Sequence, residues 1–183
     1  LLVTVTSAAA EPVSGGAVTF TAPASGASAT FPGGLPTVTS TLSASGQASA
    51  APTANGTTGT YAVAAGASGV GASATFSLTN LPLSTALVLT SAPNPSTYGD
   101  PATFTATLAP AVAGAAVTFL DGVTPLGTTT TSAAGVATFV TSLLSAATHT
   151  VTASWPGDAT HSPATSAPVS HVVSPRAVTV TPP

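Results

Sequence analysis

The stretch Val117-Thr118-Phe119-Leu120-Asp121-Gly122 joins a run of β-branched and bulky apolar residues to a turn pair. Val, Thr and Phe suit a pleated, half-buried strand, and Asp-Gly suits the reversal that follows it. Val18-Thr19-Phe20 repeats the opening of that stretch 99 residues earlier, 117 against 18. Two further pairs match: Gly46-Gln47-Ala48 with Gly135-Val136-Ala137, 89 apart, and Thr60-Tyr61-Ala62-Val63 with Thr148-His149-Thr150-Val151, 88 apart. The shorter later offsets mean that the first copy carries a longer central segment, around Pro23 to Pro36. The chain reads as two modules of one architecture with different loops.

Outward from these anchors, strand-like runs alternate with Gly, Pro and Asn. In the first copy they are Leu1 to Thr6, Gly16 to Ala22, Leu35 to Ser43, Gln47 to Thr53, Thr58 to Ala65 and Ala72 to Asn80. In the second they are Thr85 to Ser91, Pro101 to Leu108, Ala115 to Leu120, Thr124 to Thr131, Gly135 to Thr141, Thr148 to Ser154 and Ala164 to Val173. Short strands at this spacing predict an all-β chain of tandem immunoglobulin-like Greek-key sandwiches. The expected boundaries are residues 1–81 for an N-terminally incomplete sandwich and 82–175 for a second. Residues 176–183 read as a linker or the first strand of a following module, with Arg176 to Thr181 as that strand. The chain opens on strand sequence without an initiator Met, so it reads as a fragment or a processed product.

Composition narrows the function classes. Charged residues make up 3% of the 183, Arg176 is the one fixed cation and the formal net charge is −3. Nucleic acid and anionic membrane surfaces are excluded as partners, because binding phosphate needs several Lys or Arg. Mean hydropathy is high at +0.53, but the apolar residues are mostly Ala and Val among Thr, Ser and Gly. No run approaches the roughly 20 apolar residues of a membrane-spanning helix, so no membrane insertion is expected. With no Cys there are neither disulfides nor thiolate metal sites, and core packing with backbone pairing must hold the fold. A nearly uncharged surface favours association between copies.

The second module resembles the bacterial Ig-like group 3 repeat. The likeness is carried by Ser91-Ala92-Pro93-Asn94-Pro95-Ser96-Thr97-Tyr98-Gly99-Asp100-Pro101, Val117 to Gly122, Pro125-Leu126-Gly127, and Thr148 to Ala153 leading to Gly157-Asp158-Ala159. It runs from about Ala86 to Val173. The first module is similar to the invasin/intimin type of bacterial Ig-like repeat, from Glu11-Pro12-Val13-Ser14-Gly15-Gly16-Ala17-Val18-Thr19-Phe20 through Ala62-Val63-Ala64-Ala65. It departs from that pattern in lacking an opening strand before Leu1. The resemblance implies a spacer, adhesive or structural role in a secreted or surface protein, with no catalytic residues to carry over.

Individual side chains add little chemistry. Glu11, Asp100, Asp121 and Asp158 each stand in a predicted turn, where a short polar side chain bonds nearby N–H groups; calcium at a module junction is the alternative, but no two of these acids are close in sequence and calcium takes six to eight oxygens. His149, His161 and His171 lack metal-ligand spacing and read as exposed or edge residues. No nucleophile elbow appears, so no catalytic, cofactor or metal residue is expected. Tyr61 reads as a structural corner tyrosine, and Trp155 as a cover on one end of the core or a partner contact. Phe20, Phe31, Phe76, Phe104, Phe119 and Phe139 read as core. Asn55-Gly56-Thr57 is a glycosylation sequon on a predicted turn.

The expected function is that of an extracellular structural repeat module of a surface fibre, stalk or filament, acting through domain stacking and subunit packing with other copies or neighbouring repeats. The alternative is an adhesin module that binds a glycan or surface receptor through loops at one end of a sandwich. A passive spacer in a secreted multidomain enzyme is the third reading. For assembly, the unpaired sheet edge of the first module and the spare C-terminal run suggest head-to-tail strand exchange, through Leu1, Val3 and Val5 on one side and Ala177, Val178 and Val180 on the other.

Overall fold

The computed structural model describes residues 1–180. Thr181, with which the expected last strand ends, lies outside the described residues, as do Pro182 and Pro183. The chain divides into a unit over Leu1–Pro82 and a second beginning at Leu83. The first holds β1 (Leu2–Thr4), β2 (Ala17–Thr21), β3 (Ala29–Thr30), β4 (Thr37–Thr41), β5 (Gln47–Ser49), β6 (Thr53–Ala54), β7 (Gly59–Ala67) and β8 (Ala74–Asn80). The second holds β9 (Ala86–Ala92), β10 (Ser96–Thr97), β11 (Ala102–Ala109), β12 (Ala116–Asp121), β13 (Thr124–Thr130), β14 (Val136–Thr141), β15 (Thr148–Trp155), β16 (Ala164–Thr165) and β17 (Val169–Ser174).

In the second unit one sheet has the order β14-β11-β9, and the other β10-β17-β15-β12-β13, with β16 beside β15. Period-two alternation turns one face of each strand inward. Ala102, Phe104, Ala106 and Leu108 of β11 meet Val151, Ala153 and Trp155 of β15 in a single core. Within it Phe119 stacks on Phe139 at a centroid distance of 5.4 Å. Gly127, opposite Phe119 in the ladder, lies directly under the Phe139 ring, where a β-carbon would collide. The result is an all-β immunoglobulin-like sandwich.

The first unit repeats this plan in part. Its sheet β4-β2-β7-β8 corresponds to β13-β12-β15-β17, and its pair β1-β5 to β11-β14. The same turn leads into β5 and β14: Gly46 N–H donates to Ser43 O and Ser43 N–H to Gln47 O, as Gly135 does to Ser132 and Ser132 to Val136. The core gathers Val18, Phe20, Phe31, Leu42 and Val63, with Phe31 and Phe76 within 6.5 Å of the Phe20 centroid. Among the described residues nothing corresponds to β9 or β10.

Several expected runs are refined. Gln47 to Thr53 is two short strands, because Pro52 offers no N–H to a ladder; the second, β6, instead pairs with β3 inside the long central segment. Ala164 to Val173 likewise divides around Pro168 into β16 and β17. The two-residue β10, lying between Pro95 and Gly99, falls below what periodicity can detect. Residues 176–180, expected as a linker or as the first strand of a following module, join no ladder among the described residues. Val178 and Val180 are 87% and 88% exposed.

Candidate functional site

The second unit carries an extended polar seam where its opening and closing strands meet. Pro93 and Pro95 end the pairing of β9 with β11, since neither ring nitrogen can donate. The chain crosses to the other sheet, where β10 pairs in parallel with β17, Ser96 opposite Val173 and Thr97 opposite Ser174. Tyr98 N–H extends this ladder to Ser174 O at 2.8 Å. Asn94 imitates a strand residue between them: its Nδ2 donates to Ser170 O at 2.8 Å, and its Oδ1 accepts from Val172 N–H at 2.9 Å. Beyond the strand, Arg176 Nε donates to Tyr98 O at 3.1 Å and its Nη2 pairs with Asp100. That ion pair is exposed and adds little by itself.

His171 sits beneath the seam with no exposed surface. Its Nε2 bonds Ser96 Oγ at 3.0 Å, its Nδ1 faces Ser91 Oγ at 3.3 Å, and its ring meets Phe104 edge-on at 5.1 Å. A hydroxyl can donate or accept, so either neutral tautomer is satisfied. Burial, followed by the charge of nearby His149, pushes its pKa below 6.5. The seam is a neutral, fully bonded weld between the two ends of the domain.

Residues 89–174 match the family described as the bacterial Ig-like domain (group 3). The second unit is a bacterial Ig-like domain. The chain as a whole is similar in structure to a protein of Corynebacterium diphtheriae described as membrane anchored, at 16% identity and a TM-score of 0.44, over 100% of this chain and 50% of that one. The adhesin InvE of Yersinia pseudotuberculosis is matched at 18% identity and a TM-score of 0.39, over 93% and 53%. Murine CEACAM1b is matched at 15% identity and a TM-score of 0.40, over 88% and 87%. The chain thus spans about half the length of the first two, 50% and 53%. No curated protein sequence matches it.

The other polar groups of the Ig-like domain are structural. His149, expected at an exposed or edge position, is buried on the interior strand β15 instead, with Nδ1 2.6 Å from Asp121 Oδ2 and Nε2 2.9 Å from Ser145 O. Burial opposes its protonation, but the Ser145 carbonyl and the Asp121 carboxylate together outweigh it and raise the pKa above 6.5. The arrangement resembles two thirds of a hydrolytic triad, but its third member is a backbone carbonyl, which cannot act as a nucleophile. Asp158 closes a turn through Thr160 N–H at 2.7 Å, then the Thr160 hydroxyl and His161, which hold its carboxyl down to about 2. Among the described residues no three His, Asp or Glu gather as a metal site.

Trp155 and Asn55, singled out in the sequence, both take up structural positions. Trp155 is 4% exposed, in phase with Val151 and Ala153 on the inward face of β15, and its ring lies 6.1 Å from that of His161. It has no face to offer a partner. Asn55 of the sequon is tied into the first unit: Nδ2 donates to Gly26 O at 2.8 Å, while Oδ1 accepts from Ser28 N–H and from Asn80 Nδ2 at 3.1 and 3.0 Å. It fastens the long central segment, and a glycan on Nδ2 would have to break that bond. Val3 of β1 and its flanking neighbours Leu1 and Val5 are half-buried against the first core.

The two histidines give the stability of the domain opposite responses to pH. For His171, whose folded pKa is lowered, the contribution is intact above 6.5 and is lost as pH falls below it, because the unfolded chain takes up the proton first. For His149, whose folded pKa is raised, the contribution is intact below 6.5 and is lost as pH rises through the folded value. In a His149→Asn variant the urea midpoint is therefore expected to fall between pH 7.5 and 5; in His171→Gln that fall should vanish. Trp155 fluorescence reads both.

Proposed function

We propose that the chain is an extracellular structural segment in which Ig-like modules in series space, and carry tension between, other parts of a larger surface protein. The observation that supports this reading is the parallel β10–β17 pair with its side-chain bonds. Tension on the two ends of the domain pulls β10 and β17 in opposite directions along one axis. Their hydrogen bonds are then loaded together in shear and must fail together. The junction entering the domain is also fastened: Leu83 exchanges hydrogen bonds with Thr160 and Ser162, and Thr85 Oγ1 donates to Ser162 O at 2.6 Å. The adhesin reading loses one aromatic anchor with the burial of Trp155, while Tyr98 stays exposed.

Among the described residues the first unit shows no such parallel pair, its β1 pairing with β5 and its β8 with β7. Single-molecule pulling on the chain should therefore give two rupture events of unequal force, with the stronger one weakened by Asn94→Ala. A second unit that yields at no greater force than the first would refute tension bearing. Antibodies against the chain that label only lysed source cells would refute a surface location.

A further inference from the structure

Asn55 holds the long central segment of the first unit by bonds to both ends of its side-chain amide. The far part of that segment is anchored by packing, with Phe31 3% exposed and its ring 6.5 Å from that of Phe20. The near part, up to Ser28, borders a cleft of about 270 Å³ whose walls include Pro23, Ser28, Pro36 and Asn55. There Asn55 extends the two-residue ladder of β3 with β6: its N–H donates to Ser28 O at 3.0 Å, and its Oδ1 accepts from Ser28 N–H at 3.1 Å. Oδ1 also accepts from Thr57 N–H at 3.2 Å and from Nδ2 of the buried Asn80 at 3.0 Å, while Nδ2 donates to Gly26 O at 2.8 Å. Backbone N–H groups only donate and a carbonyl only accepts, so all these bonds form in one orientation of the amide.

The same residue is followed by Gly56, and that order carries a reaction of its own. The Gly56 nitrogen can attack the Asn55 side-chain carbon: a C–N bond forms, the bond to Nδ2 breaks, and the Gly56 proton leaves with Nδ2 as ammonia. The resulting succinimide takes up one water and opens to aspartate or isoaspartate, with no oxidant, reductant or cofactor. Glycine obstructs this attack least, having no β-carbon, and Gly56 is exposed with nothing within 4 Å of the place a β-carbon would take. The other two asparagines are poorly suited to it: Asn80 precedes the bulky Leu81, and Asn94 precedes Pro95, whose nitrogen has no proton to give up. In the folded unit the Asn55 amide is held by three N–H donors and one acceptor, and the leaving nitrogen is itself bonded. Turning the side-chain carbon onto the Gly56 nitrogen costs those bonds.

We propose that Asn55 is a self-modification site, sealed while the first unit is folded and converted when it opens, and that its conversion leaves the near part of the central segment unfastened on refolding. Aspartate has no N–H for Gly26 O and brings a charged acceptor to the place of a donor, so two oxygens oppose each other where the 2.8 Å bond stood. Isoaspartate runs the main chain through the former side-chain carbon. That adds an atom to the backbone directly after β6 and shifts its register with Ser28. An opening of the unit is thereby written into its covalent structure. This goes beyond the mechanical reading of the second unit and does not depend on it.

The test holds the 183-residue chain in mildly alkaline buffer, folded and in urea, and follows the exchange of amide for acid at Asn55 by peptide mass spectrometry, with Asn80 and Asn94 as internal references. Asn55 should convert in urea well ahead of the other two. In the folded chain it should convert at least about tenfold more slowly, because the reactive form is then only the small open fraction. After return to native buffer, the Ser28 and Thr57 amides should exchange faster in the converted chain than in a chain taken only briefly through urea. Gly56→Ala, at a site with room for the β-carbon, should keep the fold, slow the conversion in urea severalfold and retain the Ser28 protection through the same treatment. Asn55→Asp, made directly, should show the faster exchange with no urea at all. Conversion as fast in the folded chain as in urea would mean that the bonds seal nothing, and no preference for Asn55 in urea would remove the reaction. Full Ser28 protection in the converted chain or in Asn55→Asp would remove its consequence. Any of these overturns the proposal, and none bears on the force at which the second unit ruptures.

Discussion

Phe104→Ala is expected to destabilise the Ig-like domain by about 3–5 kcal/mol, the cost of deleting a fully buried aromatic ring from a core that can only partly collapse. Phe104 lies on β11 with strands on both sides, and its ring also forms one wall around His171 at 5.1 Å. Its loss therefore opens the hydrophobic core and loosens the polar seam at once. Domains have total stabilities of roughly 5–15 kcal/mol, so most of the margin would go. Trp155 is the one tryptophan of the chain and lies in the same core, so urea unfolding followed by its fluorescence reports this domain alone. Val88→Ala, on the exposed face of the neighbouring strand, should move the same midpoint by no more than about 0.5 kcal/mol. Equal effects from the two variants would mean that Phe104 is not where the core is anchored.

The contrast between these residues shows how much the sequence could reveal. Strand alternation marks Phe104 and Phe119 as inward, and the internal repeat marks the corresponding strands of both units. The same period also places His171 in phase with Val169 and Val173, and His149 and Trp155 in phase with Val151 and Ala153. Their burial was therefore legible, and for Trp155 core cover was one of its two readings; for the histidines residue type was weighed above phase, since His is usually found at partly exposed positions. Other features had no local signal. The hold of Asn55 on its segment depends on Ser28 and Asn80, 27 and 25 residues away. The weld at Ser96 depends on His171, 75 residues away. Its strand is only two residues long, too short for any periodicity.

Gly135→Ala is expected to cost roughly 2–4 kcal/mol, from a left-handed backbone worth about 1–2 and an overlap of similar or larger size. Gly135 has φ +74°, and a β-carbon there would lie 2.6 Å from Leu108 O and 2.9 Å from the Ala111 α-carbon. Neither contact is the free end of a side chain, so relief requires the strand entering β14 to move away from β11. Gly114→Ala separates the two causes: it has the same φ of +74° but nothing within 4 Å, so it should pay the backbone strain alone. The repeat supplies an independent copy of the experiment. Gly46 has φ +71° with Val5 O 2.6 Å from its would-be β-carbon, and Gly15 has φ +73° in open space. Gly46→Ala should exceed Gly15→Ala by the same margin, read in the first unit by hydrogen exchange. If each close-packed glycine costs no more than its open counterpart, backbone conformation alone sets the turn. If both exceed it, the approach of this turn to the strand carbonyl is what both units share, and what holds β5 against β1 as it holds β14 against β11.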